Sequence, residues 1–304
     1  MTLLLPGADG VADTVQRQLP QAAVLRYEQA DQHRLDEVTF YCLPYMGDGA
    51  SIALIGELPA LAVVQSLSSG VDDVLGAMPP HVTLCNGRGL GHEEGTAELA
   101  VTLILASLRQ LPWFAGQQAR RAWSHVRTET LGGKRVLLIG YGAIGAAIER
   151  RLAPFGPRIR KVSRTARAGV AGLAQLPALA ADADIAVICI ALTQATAGLV
   201  GGDVLAALPD GALLVNVARG PVVDPAALAA QLRNGRLRAA LDVFDTEPLA
   251  ADRPEWAMPN VLITPHIGGD TYDFARRAPA FVAEQAARHL AGHPLANVVR
   301  EAAG

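Results

Sequence analysis

Three stretches of this sequence end an apolar run on a side chain that can hold or move charge. NVARGPVVD (216–224) presents Arg219, LDVFDTEPL (241–249) presents Glu247, and VLITPHIGG (261–269) presents His266. A histidine beside a carboxylate is suited to donate a proton near neutral pH, because the negative charge favours the imidazolium. An arginine offers a planar fork of N–H donors to a carboxylate or to a carbonyl that must be polarised. A fourth stretch, RVLLIGYGAIG (135–145), carries Gly140, Gly142 and Gly145 in GxGxxG spacing. The glycines alone are a weak signal, equally readable as a strand-to-helix turn without a ligand. Context raises them, because an apolar strand runs into Gly140 and a breaker-free helical stretch follows, the arrangement a dinucleotide pyrophosphate needs. Gly140 permits the tight turn, Gly142 the close backbone approach and Gly145 the packing of helix on strand, while the amides near Ala143 and Ile144 face the phosphates.

At the end of the next strand, RIRKV (158–162), such units usually place an Asp or Glu on the ribose hydroxyls. Here Ser163, Arg164 and Thr165 follow, and no acid occurs between Arg151 and Ala181. A carboxylate would repel a 2′-phosphate, whereas two hydroxyls and a guanidinium can bind one, so NADP(H) is the preferred cofactor and NAD(H) the alternative. For the other basic residues, Arg158, Arg160, Lys161 and Arg167, a solvated face is the expectation.

These residues need elements to position them. In an open α/β sheet the ligand site lies outside the carboxyl ends of the strands, so Arg219, Glu247 and His266 can converge on one face with the cofactor. RVLLIG, RIRKV, DIAVICIAL, ALLVNVA, LRAALDVF and VLITPHIG alternate with helical segments such as DPAALAAQLRNG, the signature of a parallel sheet covered on both faces. An earlier series, TLLL, VTFYC, SIALI, LAVVQSL and VTLC, reads as a first α/β layer. Between the two, EEGTAELAVTLILASLRQL has no breaker from Gly95 to Pro112 and reads as one long buried helix. The segment from about Thr271 to Leu290 is helical.

At 304 residues the chain allows two domains, and 51% hydrophobic against 18% charged residues describes a well-packed globular protein. A formal charge of −3 argues against a general nucleic-acid or anionic-membrane binder. Cys42, Cys85 and Cys189 are widely spaced, which indicates buried reduced thiols and no metal site. With no signal peptide or spanning run, a cytoplasmic protein is expected. The remaining histidines, His33, His81, His92, His125, His289 and His293, are read as structural or exposed.

Taken in order and spacing, LSSGVDDV (67–74), LGGKRVLLIGYGAIG, DIAVICIALTQATAGLV, LLVNVARGPVVD, LDVFDTEP and TPHIGG resemble the D-isomer-specific 2-hydroxyacid dehydrogenases, near the glyoxylate/hydroxypyruvate reductases, over nearly the whole chain. The resemblance implies two Rossmann-like α/β domains with parallel sheets: a discontinuous, flavodoxin-like substrate domain (1–93 and 272–304), an inserted dinucleotide-binding domain (94–271), and an active site in the cleft between them. It implies that His266 protonates the keto oxygen of a 2-oxo acid, that Glu247 orients and charges the imidazole, and that Arg219 binds the substrate, giving an (R)-2-hydroxy acid. Backbone amides at Ser69 and Gly70 are implied on the substrate carboxylate. Asp242 is implied near the nicotinamide amide, with Val217, Ala218, Ala191 and Gly268 along the cofactor. Like the breadth of the long apolar helix, the resemblance implies a homodimer. The chain departs from the family where the usual His-x-Pro is Cys189-Ile190-Ala191, which removes a rigid proline beside the adenosine site, and where NGRGLGHEEGTAE (86–98) is richer in glycine and acids than the usual family stretch. Formate dehydrogenase is a rival on the same fold, opposed by Glu247 where a Gln is usual, and a nucleotide-sensing corepressor is a rival of another class. FYCLPYM (40–46) is the candidate lining for the substrate side chain.

Overall fold

The computed structural model describes residues 1–29 and 32–302, apart from the side chains of residues 32–34. It divides into two compact units, Met1–His92 with Gly269–Gly304 and Glu93–Gly268. The strands in chain order are β1 (Thr2–Leu5), β2 (Ala23–Arg26), β3 (Val38–Cys42), β4 (Val63–Gln65), β5 (Thr83–Cys85), β6 (Arg135–Ile139), β7 (Arg158–Ser163), β8 (Ala171–Gly172), β9 (Ile185–Ile188), β10 (Leu213–Asn216), β11 (Arg238–Leu241), β12 (Val261–Ile263) and β13 (Val298–Arg300).

The Glu93–Gly268 unit is built on a seven-stranded sheet, β12-β11-β10-β9-β6-β7-β8, in which every pair is parallel. Its strands are apolar on both sides because both faces are covered. On one face Ala97, Ala100, Ile104 and Leu108 of the helix His92–Leu108 pack with Val136, Leu138 and Ile148. On the other, Leu137, Ile139, Ala186, Ile188 and Leu214 meet Leu176, Leu205 and Leu228. Strand order reverses at β6 and β9, so the crevice that binds ligands in such sheets opens beyond Ile139 and Ile188.

The other unit has a six-stranded sheet, β13-β5-β4-β3-β1-β2. Its first five strands are parallel, in flavodoxin-like order, and β13 joins β5 as an antiparallel edge that the apolar pattern of the sequence did not announce. Two other expectations are corrected. SIALI is not a strand: Asp48 accepts the amide of Ser51 at 3.1 Å, capping the helix Gly49–Ala53, which passes into a 3-10 turn over Leu54–Glu57. The long helix ends at Leu108, because Gln110 adopts φ +53° and Pro112 lies in the first turn of a second helix, Leu111–Ala119, bent by 64° from the first. Among the described residues no single helix is long and apolar enough to cross a membrane, and these two reach that length only as a bent pair.

Candidate active site

β10, β11 and β12 are adjacent and parallel, so the residues after their last positions emerge on the same edge of the sheet. After β11 the chain turns through Asp242–Glu247. There the Glu247 carboxylate accepts the Phe244 amide at 2.8 Å through Oε1 and meets His266 Nδ1 at 2.6 Å through Oε2. Burial raises the Glu247 pKa, but hydrogen bonds from His266 and the Phe244 amide, with the charges of His266 and Arg219, outweigh it and hold the carboxyl below its ordinary range. Arg219 is therefore close enough to bias that carboxylate. With Nδ1 committed to Glu247, Nε2 is the nitrogen left to exchange a proton.

His266 occupies the left-handed region at φ +55°, uncommon for a side chain of its size. What holds it there is Asp242, 2% exposed, around which the TPHIGG turn is wrapped. Its Oδ1 accepts Thr264 Oγ1 at 2.6 Å and the Ile267 amide at 2.9 Å, its Oδ2 accepts the Gly268 amide at 2.9 Å, and its backbone oxygen accepts the His266 amide at 2.8 Å. Among the described residues, three of about four acceptor positions on the carboxylate are filled, leaving one on Oδ2. Asn216 does comparable work beside Arg219: its Oδ1 takes the Ala218 amide at 3.0 Å and its Nδ2 donates to the Arg219 oxygen at 3.0 Å. Arg219 Nη1 donates to the Ala218 oxygen at 2.9 Å. Val217 and Ala218 are buried at 6% and 9% exposure. Asn216 was missed in the sequence because an amide at a strand end has no distinctive spacing.

At the crevice between β6 and β9, Gly140 has φ +106°, and a Cβ there would lie 2.5 Å from the Ile190 amide nitrogen. At Gly145 a Cβ would lie 2.6 Å from the Gly140 oxygen, whereas at Gly142 it would meet nothing within 4 Å. The helix Ala143–Leu152 therefore starts against the strand, with Gly142 at its N-cap, no side chain capping it, and open space in front. Those are the requirements of a pyrophosphate cradle, and the residues fit a dinucleotide. Cys189 donates to the Gly140 oxygen at 3.0 Å, and the Ala191 oxygen accepts Thr196 Oγ1 at 2.7 Å.

At the end of β7 the picture is richer than the sequence suggested. Ser163 donates to the Thr165 oxygen at 2.8 Å and accepts Arg167 Nη1 at 3.1 Å. Arg167 also donates to the Tyr141 oxygen inside the glycine motif and lies over the Tyr141 ring at 5.5 Å. Arg164 is exposed. Arg167, expected on a solvated face, is exposed and also contacts the glycine loop, because the chain folds back through reciprocal backbone bonds between Arg167 and Val170. Lys161 and Arg160 are engaged by Glu149 at 2.8 Å and Asp182 at 3.2 Å.

Ser69 and Gly70 belong to the other unit, in the loop after β4. That loop is rigidly held: Asn86 Nδ2 donates to the Ser69 oxygen at 2.9 Å, the Gly87 amide to the Ser68 oxygen at 2.8 Å, and the Ser66 hydroxyl accepts the Ser68 amide at 3.1 Å. His92, 5% exposed, sits 2.8 Å from the Leu67 oxygen and stacks on Tyr45. Of the proposed substrate lining, Phe40 and Tyr41 are corrected: both are fully buried in the core around β3, with the Tyr41 hydroxyl on the Ser51 oxygen at 3.1 Å, while Met46 is 51% exposed. Burial pushes His289 below its ordinary pKa, and the side chain of His33 lies outside the described residues. Cys42, Cys85 and Cys189 are free and buried. No cluster of metal-ligating side chains occurs among the described residues.

Residues 101–268, nearly the whole of the Glu93–Gly268 unit, match the model of the D-isomer specific 2-hydroxyacid dehydrogenase NAD binding domain. The chain belongs to that family. It is 33% identical to the hydroxyphenylpyruvate reductase of Plectranthus scutellarioides over 81% of both chains. It is 33% identical to the D-3-phosphoglycerate dehydrogenase of Mycobacterium bovis over 83% of this chain and 49% of that one, so it spans about half the length of that relative. The structure of a D-isomer specific 2-hydroxyacid dehydrogenase from Xanthobacter autotrophicus Py2 in complex with NADPH and MES superposes with TM-score 0.79 at 33% identity, covering 98% of each chain. In this dehydrogenase family the reaction is an oxidation–reduction of small 2-hydroxy and 2-oxo acids, and the Glu93–Gly268 unit contains its nicotinamide-binding fold.

Proposed function

We propose that this dehydrogenase reduces a 2-oxo acid to the (R)-2-hydroxy acid and prefers NADPH. The observation that carries the reading is the 2.6 Å contact between His266 Nδ1 and Glu247 on the edge of the sheet that also bears Arg219. The nicotinamide cofactor, when bound, supplies the hydride for the keto carbon. His266 gives the proton from Nε2 to the keto oxygen, and Glu247 holds the ring and favours its charged form. Arg219 directs its guanidinium to the 2-oxo acid, polarising the carbonyl and fixing the carboxylate. The amides of Ser69 and Gly70 are assigned to the same carboxylate. The open acceptor position of Asp242 suits the nicotinamide amide, and Val217, Ala218, Ala191 and Gly268 are assigned to the cofactor wall.

For the adenosine end, Ser163, Arg164 and Thr165 are assigned to a 2′-phosphate, and Arg167 is added to them on its contacts with Ser163 and Tyr141. The NADPH bound to the Xanthobacter relative supports that choice. A homodimer is supported by the apolar side chains left uncovered along the second helix and the segment after it, Leu111 at 55%, Trp113 at 38% and Trp123 at 101% exposure.

The test is a screen of NADPH oxidation with glyoxylate, hydroxypyruvate, pyruvate and phenylpyruvate. Turnover on at least one is expected. A folded protein that binds NADPH but turns over none of the four contradicts the reading.

A further inference from the structure

The turn that carries Glu247 is gripped from two sides. On one side Gly220 leaves no room: a Cβ there would lie 1.9 Å from the carbonyl carbon and oxygen of Phe244 and 2.3 Å from the Asp245 nitrogen. On the other side Arg253 Nη1 reaches Asp245 Oδ1 at 3.2 Å and Oδ2 at 3.5 Å. The rest of that guanidinium is taken by Glu255, with Nε to Oε2 at 3.1 Å and Nη2 to Oε1 at 3.0 Å. Glu255 is only 6% exposed and stands in the short 3-10 turn Pro254–Ala257, so Arg253 is fixed at its base by a forked, largely buried pair. Beneath the turn lies a cavity of about 30 Å³, bordered by Gly220, Phe244, Asp245, Arg253 and Glu255 and otherwise lined mostly by apolar side chains of β11 and the helix Pro225–Arg233, with room for about one water molecule. Packing beneath the turn therefore leaves a small gap, and the Arg253–Asp245 pair stands at its border.

We propose that Arg253 and Asp245 are positioning residues for the proton donor: Arg253, anchored on Glu255, tethers Asp245 and so keeps the Glu247 carboxylate on His266 Nδ1. The proposal rests on the reading of Glu247 as the partner of His266. Neither residue touches the reacting atoms; they act through the turn. The charged groups around that turn are Arg219 and His266 beside Glu247, Asp242 within the TPHIGG turn, and Arg253 with Glu255 behind Asp245, with Arg233 acting in turn on Glu255. If the tether is cut, Glu247 spends part of its time away from the ring, and the charged imidazole loses part of its support.

The experiment compares the alkaline limb of 2-oxo acid reduction in wild type, Glu247→Gln, Asp245→Ala, Arg253→Lys and the double variant Asp245→Ala/Glu247→Gln, at saturating NADPH. Asp245→Ala is chosen because it leaves the buried Arg253–Glu255 pair whole; Asp245→Asn keeps the shape and replaces it if the alanine variant does not fold. Glu247→Gln should move the limb to lower pH. Asp245→Ala should move it the same way by less and lower kcat about fivefold, the scale of one half-exposed ion pair, with the KM for NADPH unchanged. Arg253→Lys, which cannot serve both carboxylates with one point charge, should resemble Asp245→Ala. The double variant should keep the limb of Glu247→Gln. If Glu247→Gln moves the limb and Asp245→Ala does not, or changes only the melting temperature, the tether is refuted and the Glu247 reading stands. If Glu247→Gln itself leaves the limb in place, that reading falls and the tether with it.

Discussion

A histidine proposed as a proton donor needs its free nitrogen steered, and the carboxylate 2.6 Å from His266 Nδ1 fixes the ring so that Nε2 is left to face a substrate. The Glu247 carboxyl is held below its ordinary range. Because its folded pKa is depressed, the pair is intact above the ordinary carboxylate value, about pH 4, and weakens as pH falls through the folded value. Arg219, Glu247 and His266 were legible in the sequence because each follows an apolar run that had to be a strand. Arg167 was not, since its place against Tyr141 depends on the backbone doubling back at Val170. The cofactor end gives a prediction at this scale. Wild type should show a higher kcat/KM with NADPH than with NADH, and Arg164→Ala and Arg167→Ala should each lower the NADPH value about ten- to a hundredfold while sparing NADH, the worth of one charge-assisted hydrogen bond. Ratios unchanged in both variants would show that the guanidinia are only a solvated surface.

Among the elements, helices with local signals were the easiest to read. Asp224 caps the helix Pro225–Arg233 by accepting the amides of Ala226 at 2.9 Å and Ala227 at 3.0 Å, and Pro225 opens its first turn. SIALI misled because five residues of mixed apolar character fit a strand and a helix alike, and Asp48 decided between them. The break after Leu108 was hidden because nothing in the sequence marks Gln110 for a left-handed conformation. Close approach of two loops is equally invisible in one dimension, and Gly220 shows its consequence. Gly220→Ala would force the Arg219 loop away from Phe244 and Asp245, so kcat should fall at least tenfold and the melting temperature by about 3 °C or more, the usual cost of overpacking. Wild-type turnover and melting in that variant would mean that the two loops need not touch.

At the scale of the whole molecule, parallel strands explain why so much of the candidate site was readable. A parallel sheet aligns the ends of its strands, so polar residues more than forty positions apart in sequence, Arg219 and His266, leave the sheet on one edge together with the glycine loop of β6. The N-terminal unit was read less well, because its strands are short and β13 pairs antiparallel at an edge. The Glu93–Gly268 unit bears both the nicotinamide-binding fold and the His266–Glu247 pair, and a substitution at His266 tests the proposed proton transfer apart from cofactor binding. The most direct measurement is the turnover of His266→Gln beside its affinity for NADPH, read by the quenching of protein fluorescence. Turnover lower by about two powers of ten or more with NADPH binding within twofold of wild type is the predicted result. Near-normal turnover would contradict the assignment of His266 as the proton donor.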